Sequence, residues 1–161
     1  MTLGFILNGE DVVVKADANR RLVDILRNNF KLLGAREGCL SGICGSCSVI
    51  FNNRVVPSCL VPAFRIRGSE IITIEGFSQT DEYQDIREGF SRAEVETCGF
   101  CDTGKILAVE TLLERNLRPE REEILAGFQG VKCRCTEPDS LIEGVLATCD
   151  IRQRRLYGRS A

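Results

Sequence analysis

Short runs of alternating apolar and polar residues fill the first part of the chain, and this alternation predicts half-buried β-strands. The predicted strands are residues 4–7, 12–15, 48–51, 55–56 and 71–74. Asn8-Gly9 joins the first two strands and Asn52-Asn53 joins the next two. We therefore expect each dipeptide to form the turn of a β-hairpin.

One helix is predicted between the two hairpins. Four apolar residues recur there at helical spacing, namely Leu22, Ile25, Leu26 and Phe30. Asp17 or Asn19 is expected to cap the start of this helix, and Gly34 is expected to end it. Strands around a single helix predict a small α+β unit.

Helical spacing replaces the β alternation after a polar stretch, so we place a domain boundary between residues 1–76 and residues 77–161. The helices predicted beyond this boundary are residues 83–93, 104–115, 120–128 and 140–149. Pro119 suits a first helical position, and Ser140 with Glu143 fits a capping box. These short helices predict a compact bundle.

The composition is that of an ordinary folded protein, with 43% hydrophobic and 27% charged residues among 161. A net charge of -2 lacks the positive excess of nucleic-acid binders. The N-terminus has neither the basic region nor the long apolar region of a secretory signal, and no apolar run approaches a bilayer span. We therefore expect a cytoplasmic protein with no nucleic acid and no membrane as partners, in which structural disulfides are rare.

The chain contains nine cysteines and no histidine. An odd number of clustered cysteines favours metal ligation over disulfide bonding. The absence of histidine excludes Ser-His-Asp and Cys-His nucleophiles, His-ligated zinc hydrolases and Rieske centres within this chain. We therefore predict no catalytic acid, base or nucleophile.

The first cysteine group lies in a loop rich in glycine and serine. Its members Cys39, Cys44, Cys47 and Cys59 match C-x4-C-x2-C followed by a fourth cysteine, the plant-type ferredoxin spacing for a 2Fe-2S cluster. Glycines in the loop let the backbone approach a cluster and direct N–H groups at its sulfurs. The alternative is a zinc knuckle, but zinc sites usually take their ligands from two separated short pairs, so the spacing favours the cluster.

The second cysteine group consists of Cys98 and Cys101, in a C-x2-C, and Cys133 and Cys135, in a C-x-C. Spacing alone leaves an iron-sulfur cluster, a zinc site and a dithiol redox pair open. Two predicted helices separate the pairs, so a helical bundle can bring all four sulfurs together at one end.

Four short motifs follow one another along the chain: Glu37-Gly38-Cys39, Cys44-Gly45-Ser46-Cys47, Cys98-Gly99-Phe100-Cys101 and Cys133-Arg134-Cys135-Thr136. Their order resembles the iron-sulfur small subunit of the molybdenum hydroxylases, the family of xanthine dehydrogenase, aldehyde oxidoreductase and carbon monoxide dehydrogenase. The resemblance covers nearly the whole chain. It implies an N-terminal ferredoxin-like β-grasp domain followed by a C-terminal four-helix bundle domain.

The resemblance also implies the ligands and partners. The first cysteine group would ligate an outer 2Fe-2S cluster, and the second group an inner one. A separate large subunit would carry the molybdopterin cofactor close to the inner cluster, and a flavin subunit with FAD is the expected further partner in a hetero-oligomer. Thr97 and Arg134 are expected in the vicinity of the molybdopterin.

The chain departs from the family pattern near the second group. Thr97 replaces the glutamine that usually contacts the molybdopterin, and Asp102-Thr103 replaces Thr-Pro before Gly104. The neighbours of the C-x-C differ as well: Val131-Lys132 stands for Asn-Leu, and Glu137-Pro138 for Gly-Tyr. All eight ligands are kept, so these changes predict an altered pterin contact or a divergent partner.

We interpret the protein as the electron-transfer subunit of a molybdenum-dependent hydroxylase or dehydrogenase, an enzyme component that binds no substrate itself. Its role would be to relay electrons between the molybdenum cofactor and a flavin subunit or another acceptor. The alternatives are a free-standing 2Fe-2S carrier and a zinc-binding interaction module. A free carrier needs only the first half of the chain, so the helical half argues against it.

Several remaining residues have plain interpretations. Cys149 shares an apolar helical face and is predicted to be a buried thiol. Three basic residues, Lys105, Lys132 and Arg134, lie beside the second cysteine group, where a cation can tune a cluster potential or contact an anionic cofactor. Most basic residues are simply solvated, which is the expectation for the two lysines, and a functional role is favoured only for Arg134, which lies between two ligands. A frayed, solvated tail is expected to contain Arg152, Arg154, Arg155 and Arg159.

Overall fold

The first half of the chain folds as a five-stranded sheet with one helix, in a computed structural model that describes residues 1–158. The strands are β1 Thr2–Leu7, β2 Glu10–Lys15, β3 Ser48–Phe51, β4 Arg54–Pro57 and β5 Glu70–Ile72. Their order across the sheet is β2-β1-β5-β3-β4. Only the β1–β5 pair is parallel, and the other neighbours are antiparallel.

Both predicted hairpins are present. Asn8 and Gly9 have φ angles of 51° and 84°, and Asn52 and Asn53 have φ angles of 46° and 62°. Two consecutive residues with positive φ form the type I′ turn, whose twist matches the flanking strands. The hairpins therefore follow directly from local turn chemistry.

The last strand ends earlier than predicted, because β5 stops at Ile72 and a short helix, α2, covers Ile74–Phe77. Between them, Thr73 donates its backbone N–H to the side chain of Asn8 over 2.8 Å. The first hairpin turn thus fixes the point at which the chain leaves the sheet.

The helix α1, Leu22–Asn29, presents four fully buried apolar residues to the sheet, Leu22, Val23, Ile25 and Leu26. The predicted caps are wrong: Arg21 occupies the N-cap without a side-chain hydrogen bond, and the helix ends at Phe30. Lys31 then takes a positive φ of 59°, which stops the helix before Gly34. Packing on the sheet defines this helix in place of polar caps.

Four longer helices form the second half: α3 Asp81–Arg92, α4 Asp102–Arg115, α5 Arg121–Gly127 and α6 Pro138–Tyr157. All four were predicted, but their starts differ. Pro138 rather than Ser140 opens α6, with Glu137 as N-cap. The capping box lies instead at Glu120 and Glu123, so Pro119 precedes α5 and is not its first residue.

Each half has its own apolar core. One core joins α1 to one face of the sheet, and the other joins α3, α4, α5 and α6 to the opposite face through Ile50 of β3. Within the second core, Gly89 of α3 packs against the backbone of Thr148 in α6, where a Cβ would lie 2.6 Å from the Thr148 nitrogen. The boundary between residues 76 and 77 stays a prediction.

The C-terminal arginines correct the expectation of a frayed tail. Arg152 is 3% exposed and lies between two carboxylates, with Asp85 at 3.1 Å and Glu110 at 2.8 Å. Arg155 bonds Asp85 at 2.8 Å and Glu82 at 2.9 Å. These ion pairs hold the second half of α6 against α3 and α4, while Arg159 lies outside the described residues. No helix within residues 1–158 combines the length and the hydropathy that crossing a membrane requires.

Candidate functional site

Three cysteines of the first group lie in one loop, and several residues of this loop have the positive φ angles of the left-handed backbone conformation. Leu40, Gly42 and Gly45 have φ angles of 53°, 76° and 74°. This curvature directs three backbone N–H groups at the sulfur of Cys39, from Ser41 at 3.4 Å, Ile43 at 3.2 Å and Cys44 at 3.4 Å. The loop is therefore a nest of donors around one sulfur.

The electrostatics of Cys39 follow from this nest. The hydroxyl of Ser41, together with the N–H groups of Ser41, Cys44 and Ile43, lowers the pKa of the Cys39 thiol to about 5. Thiolates are the form that binds metal, so the loop prepares Cys39 as a ligand.

Cys44 is the neighbour of Cys39 in this loop. Its sulfur accepts the N–H of Cys39 at 3.5 Å and lies 3.0 Å from the hydroxyl of Ser46. Gly38 is required here, because an added Cβ would lie 2.9 Å from the Cys44 sulfur and 2.6 Å from the Ser46 oxygen. Cys39 and Cys44 thus form a close pair at the exposed end of the group.

Cys47 and Cys59 form the second pair of the first group, and both are buried. Burial, followed by a hydrogen bond to the Cys47 thiol, raises the pKa of Cys59 to about 11. Ser58 fastens the two segments, since its hydroxyl and its backbone N–H both donate to the carbonyl of Cys47, at 2.7 Å and 3.1 Å. Residues that are 12 positions apart in the chain are therefore locked together.

The second cysteine group lies where α4 begins and where the chain approaches α6. Cys101 is the N-cap of α4, and Cys133 and Cys135 precede the N-cap of α6. The Thr136 hydroxyl donates to the carbonyl of Glu96 at 2.6 Å and joins the two segments, and within them Cys98 and Cys135 shift each other's pKa, as do Cys101 and Cys133. The bundle therefore brings the C-x2-C and the C-x-C together, as predicted.

Cys101, which is buried, and Cys133, which is half-buried, differ in the pKa of their thiols. Burial raises the pKa of Cys101 to about 11. Burial acts the same way on Cys133, but hydrogen bonds, first among them the one from the backbone N–H of Cys135 at 3.4 Å, outweigh it and lower the Cys133 pKa to about 6. Within this pair, the thiolate form is therefore favoured at Cys133 and the thiol form at Cys101.

Each group is therefore a set of two thiol pairs. Within residues 1–158, no three His, Cys, Asp or Glu side chains converge as holders of a single metal ion. A 2Fe-2S cluster has two irons, each needing two thiolates, so a donor set of paired sulfurs fits this cluster. The N–H groups directed at Cys39 add the hydrogen bonds that cluster sulfurs accept.

The two groups touch through backbone. A Cβ on Gly104, in the first turn of α4, would lie 2.5 Å from the carbonyl oxygen of Gly45 in the first loop. A Cβ on Gly45 would in turn lie 2.6 Å from the carbonyl oxygen of Gly130, just before Cys133. Glycine at these positions sets the two cysteine groups side by side.

The prediction that Lys105 is solvated is wrong. Its side chain is completely buried, and its ammonium group donates to Thr136 at 2.8 Å, beside Cys101 and Cys133. Its position in the sequence could have indicated this, because a cation in the first turn of a helix is disfavoured by the helix dipole unless a nearby negative charge compensates it. Lys132 is exposed, as expected.

Two residues predicted to lie near a molybdopterin are exposed next to the second group, namely Thr97 and Arg134. Their proximity to the cofactor stays a prediction. Cys149, by contrast, is 4% exposed in the core of the helical half, and burial raises its pKa to about 11. The prediction of a buried, unliganded thiol agrees with this position.

The chain matches two family models. Residues 5–70 match the 2Fe-2S iron-sulfur cluster binding domain, and residues 73–146 match the [2Fe-2S] binding domain. These matches, with the two paired thiol sets, define a protein that carries two 2Fe-2S clusters.

Whole-chain relatives give the class. The nicotinate dehydrogenase small FeS subunit of Eubacterium barkeri is 39% identical over 84% of this chain and 87% of its own length. The nicotine 6-hydroxylase small subunit of Paenarthrobacter nicotinovorans is 37% identical over 87% and 84%. Quinoline 2-oxidoreductase of Pseudomonas putida 86 has the same fold, with a TM-score of 0.86, 31% identity and 96% of both chains covered.

The fold and the site together are those of an electron-transfer component of an oxidoreductase. The chain belongs to the iron-sulfur small subunits of the molybdenum hydroxylases. Such a subunit works with a partner that carries a molybdenum cofactor.

Proposed function

We propose that the first cysteine group holds one 2Fe-2S cluster and the second group holds the other. The thiol pairs support this assignment, since each iron takes two thiolates. The ligands of the first cluster would be Cys39, Cys44, Cys47 and Cys59. The ligands of the second would be Cys98, Cys101, Cys133 and Cys135.

When bound, each cluster accepts and releases one electron at a time. The protein holds the ligands in fixed positions, which limits structural change between redox states. The loop around Cys39 supplies hydrogen bonds to sulfur, and the buried positions of Cys47, Cys59 and Cys101 keep water from those sulfurs. Burial and hydrogen bonds are the features that set cluster potentials.

The contact between the two groups is the observation that carries the relay function. Gly45 and Gly104 bring the loop of one group against the helix start of the other. We propose that the second group faces the molybdenum subunit, and that the exposed Cys39 end of the first group faces a flavin subunit or another acceptor. The assembly would then be a hetero-oligomer.

A second candidate is a divergent complex in which the pterin contact differs. Thr97 supports this candidate, because it is exposed directly before Cys98 and carries a short hydroxyl side chain where the family usually has the longer amide side chain of glutamine. A shorter side chain reaches less far, so a partner residue or water would have to supply the missing donor. A free-standing carrier has less support, because the whole-chain relatives are named as subunits.

We also infer that this chain does not select the substrate of its complex. The relatives are named for nicotinate, nicotine and xanthine, yet they match this chain over 84% to 88% of its length. A cytoplasmic location is also proposed, because none of the nine cysteines forms a disulfide bond, and free thiols suit a reducing compartment.

Electron paramagnetic resonance of the dithionite-reduced protein tests the assignment. We expect two distinct 2Fe-2S signals, with about four irons and four labile sulfides per chain. Cys59→Ser should alter the first signal alone and Cys135→Ser the second alone. A colourless protein containing zinc, or one signal altered by both variants, would contradict the assignment.

Partner isolation tests the relay. Affinity purification of the chain from its native host should recover a molybdenum-containing subunit, identified by metal analysis. Recovery of the chain alone, fully loaded with iron, would favour a free carrier.

A further inference from the structure

Lys105 is one of the largest fully buried side chains of the protein, at 0% exposed. Its stem lies in the first turn of α4, four residues after Cys101. Lysine stems usually cover apolar surface while the ammonium group reaches water, and this ammonium group does not. An isolated buried cation is strongly unfavourable, so its surroundings must supply negative charge.

The surroundings of the ammonium group are well defined. It donates to the hydroxyl of Thr136 at 2.8 Å, and the nearby thiols of Cys101 and Cys133 raise the pKa of Lys105 against the effect of its burial. The Thr136 hydroxyl is neutral, and it donates onward to the backbone carbonyl of Glu96 at 2.6 Å, which is neutral as well. Hydroxyl and carbonyl groups orient the ammonium but do not neutralise it.

Asp102 is the nearby carboxylate, with an oxygen 3.5 Å from the Lys105 nitrogen. That oxygen is buried and has no hydrogen-bond partner, so the ion pair is loose. The sulfurs of Cys101 and Cys133 also lie close enough to act on the ammonium group of Lys105, and both become negative when they ligate metal as thiolates. The lysine is therefore placed to interact with the second cysteine group.

We propose that Lys105 compensates charge at the second cluster site and stabilises its reduced form, an inference that rests on the proposed ligand assignment. Reduction adds one electron, and hence one negative charge, to a site already rich in thiolates. No bond forms or breaks, and Lys105 keeps its proton in both states. The electron comes from the molybdenum-carrying partner subunit and leaves to the first cluster site.

Asp102 acts in the opposite direction. Its carboxylate lies beside the same sulfurs and disfavours added negative charge there. The balance between one fixed cation and one fixed anion then sets the potential of the second cluster. Low dielectric at a buried site makes both contributions larger than those of exposed charges.

The test compares three isosteric or near-isosteric variants in the full chain assembled in its complex. Lys105→Met removes the cation, and Asp102→Asn removes the anion. Lys132→Met is the matched control, since it removes an exposed lysine next to Cys133. Redox titration followed by electron paramagnetic resonance gives a midpoint potential for each cluster, and the first cluster serves as an internal reference.

We expect Lys105→Met to lower the midpoint potential of the second cluster and Asp102→Asn to raise it. Lys132→Met should leave it unchanged, because water screens that charge. None of the variants should shift the first cluster. Shifts of opposite sign cannot come from a merely structural disturbance.

An unchanged second potential in Lys105→Met, with both signals intact, would overturn the proposal. If Lys105→Met does not retain its second cluster, the Asp102→Asn variant decides the question. A higher midpoint potential of the second cluster in that variant supports the proposal, and an unchanged potential overturns it. A wild-type protein without a second signal would instead refute the ligand assignment, and this inference with it.

Discussion

Gly104 and Gly45 are in such close contact that a Cβ on Gly104 would lie 2.5 Å from the carbonyl oxygen of Gly45. Gly104 lies in the first turn of α4, which begins directly after Cys101, and Gly45 lies in the loop between Cys44 and Cys47. Because the obstacle is backbone and not a flexible side chain, this contact fixes the separation of the two cysteine groups.

Gly104→Ala should therefore destabilise the protein by about 1–3 kcal/mol, the usual range for overpacking a well-packed contact. Alanine is the better helix former by about 1 kcal/mol, but that gain is smaller than the clash with backbone. The measurement is the thermal unfolding midpoint of the iron-loaded chain.

Gly130→Ala is the control for this prediction, since a Cβ there meets nothing within 4 Å. Its midpoint should stay close to that of the wild type. A Gly104→Ala protein as stable as this control would show that the two halves can shift apart without penalty.

Ser41→Ala should lower the midpoint potential of the first cluster. The Ser41 hydroxyl lowers the pKa of the Cys39 thiol and so favours negative charge on its sulfur, and its loss leaves the reduced, more negative site less stabilised. The expected shift is on the order of 20–40 mV, since one hydrogen bond contributes about 1 kcal/mol and a one-electron couple shifts by about 59 mV per tenfold change.

Ser48→Ala provides the comparison, because the Ser48 hydroxyl donates to the carbonyl of Gly45 at 2.7 Å and not to sulfur. We expect lower stability in that variant and no change in potential. Equal potential shifts in the two serine variants would argue against a specific role of the Ser41 hydroxyl.

Arg152→Met should destabilise the helical half by about 3–5 kcal/mol, because two buried carboxylates lose their shared cation. The carboxylates are Asp85 and Glu110, both almost completely buried. Urea unfolding followed by circular dichroism measures the change.

The exposed pair of Arg92 and Glu88 is the reference for this ion pair. Arg92→Met should change stability by no more than about 0.5 kcal/mol, since water screens surface ion pairs. If both arginine variants lost the same amount, burial of Arg152 would not be what makes its ion pairs matter.

Cys149→Ala should leave the iron content and both cluster signals intact. The thiol lies in the apolar core of the helical half, away from the paired sulfurs, so its removal costs only packing, about 1–2 kcal/mol. Iron analysis alongside Cys98→Ala provides the contrast, and iron lost from the Cys149 variant would make it a ninth functional cysteine.

Local signals in the sequence were sufficient for much of this protein. The two hairpins follow from Asn8-Gly9 and Asn52-Asn53, because left-handed turn residues act within four positions of the chain. The helices of the second half follow from apolar spacing. The first cysteine group follows from its ligand spacing, since three of its members share one short loop.

The helix ends were less predictable from sequence. Helix α1 starts at a residue without a side-chain cap, and α6 runs on to Tyr157, past its predicted end. The continuation depends on Arg152 reaching Asp85 and Glu110, which are 67 and 42 positions away in the chain. No local pattern records such partners.

The second cysteine group and Lys105 separate what could be predicted from the sequence from what depends on the tertiary structure. The sequence determined that eight cysteines come in two groups, and composition excluded histidine chemistry. Only the fold decided that Cys98 pairs with Cys135 and Cys101 with Cys133, and that Lys105 lies buried among them. The physical reason is that ligand type and spacing are properties of the chain, whereas burial and charge pairing depend on which distant segments the packing brings together.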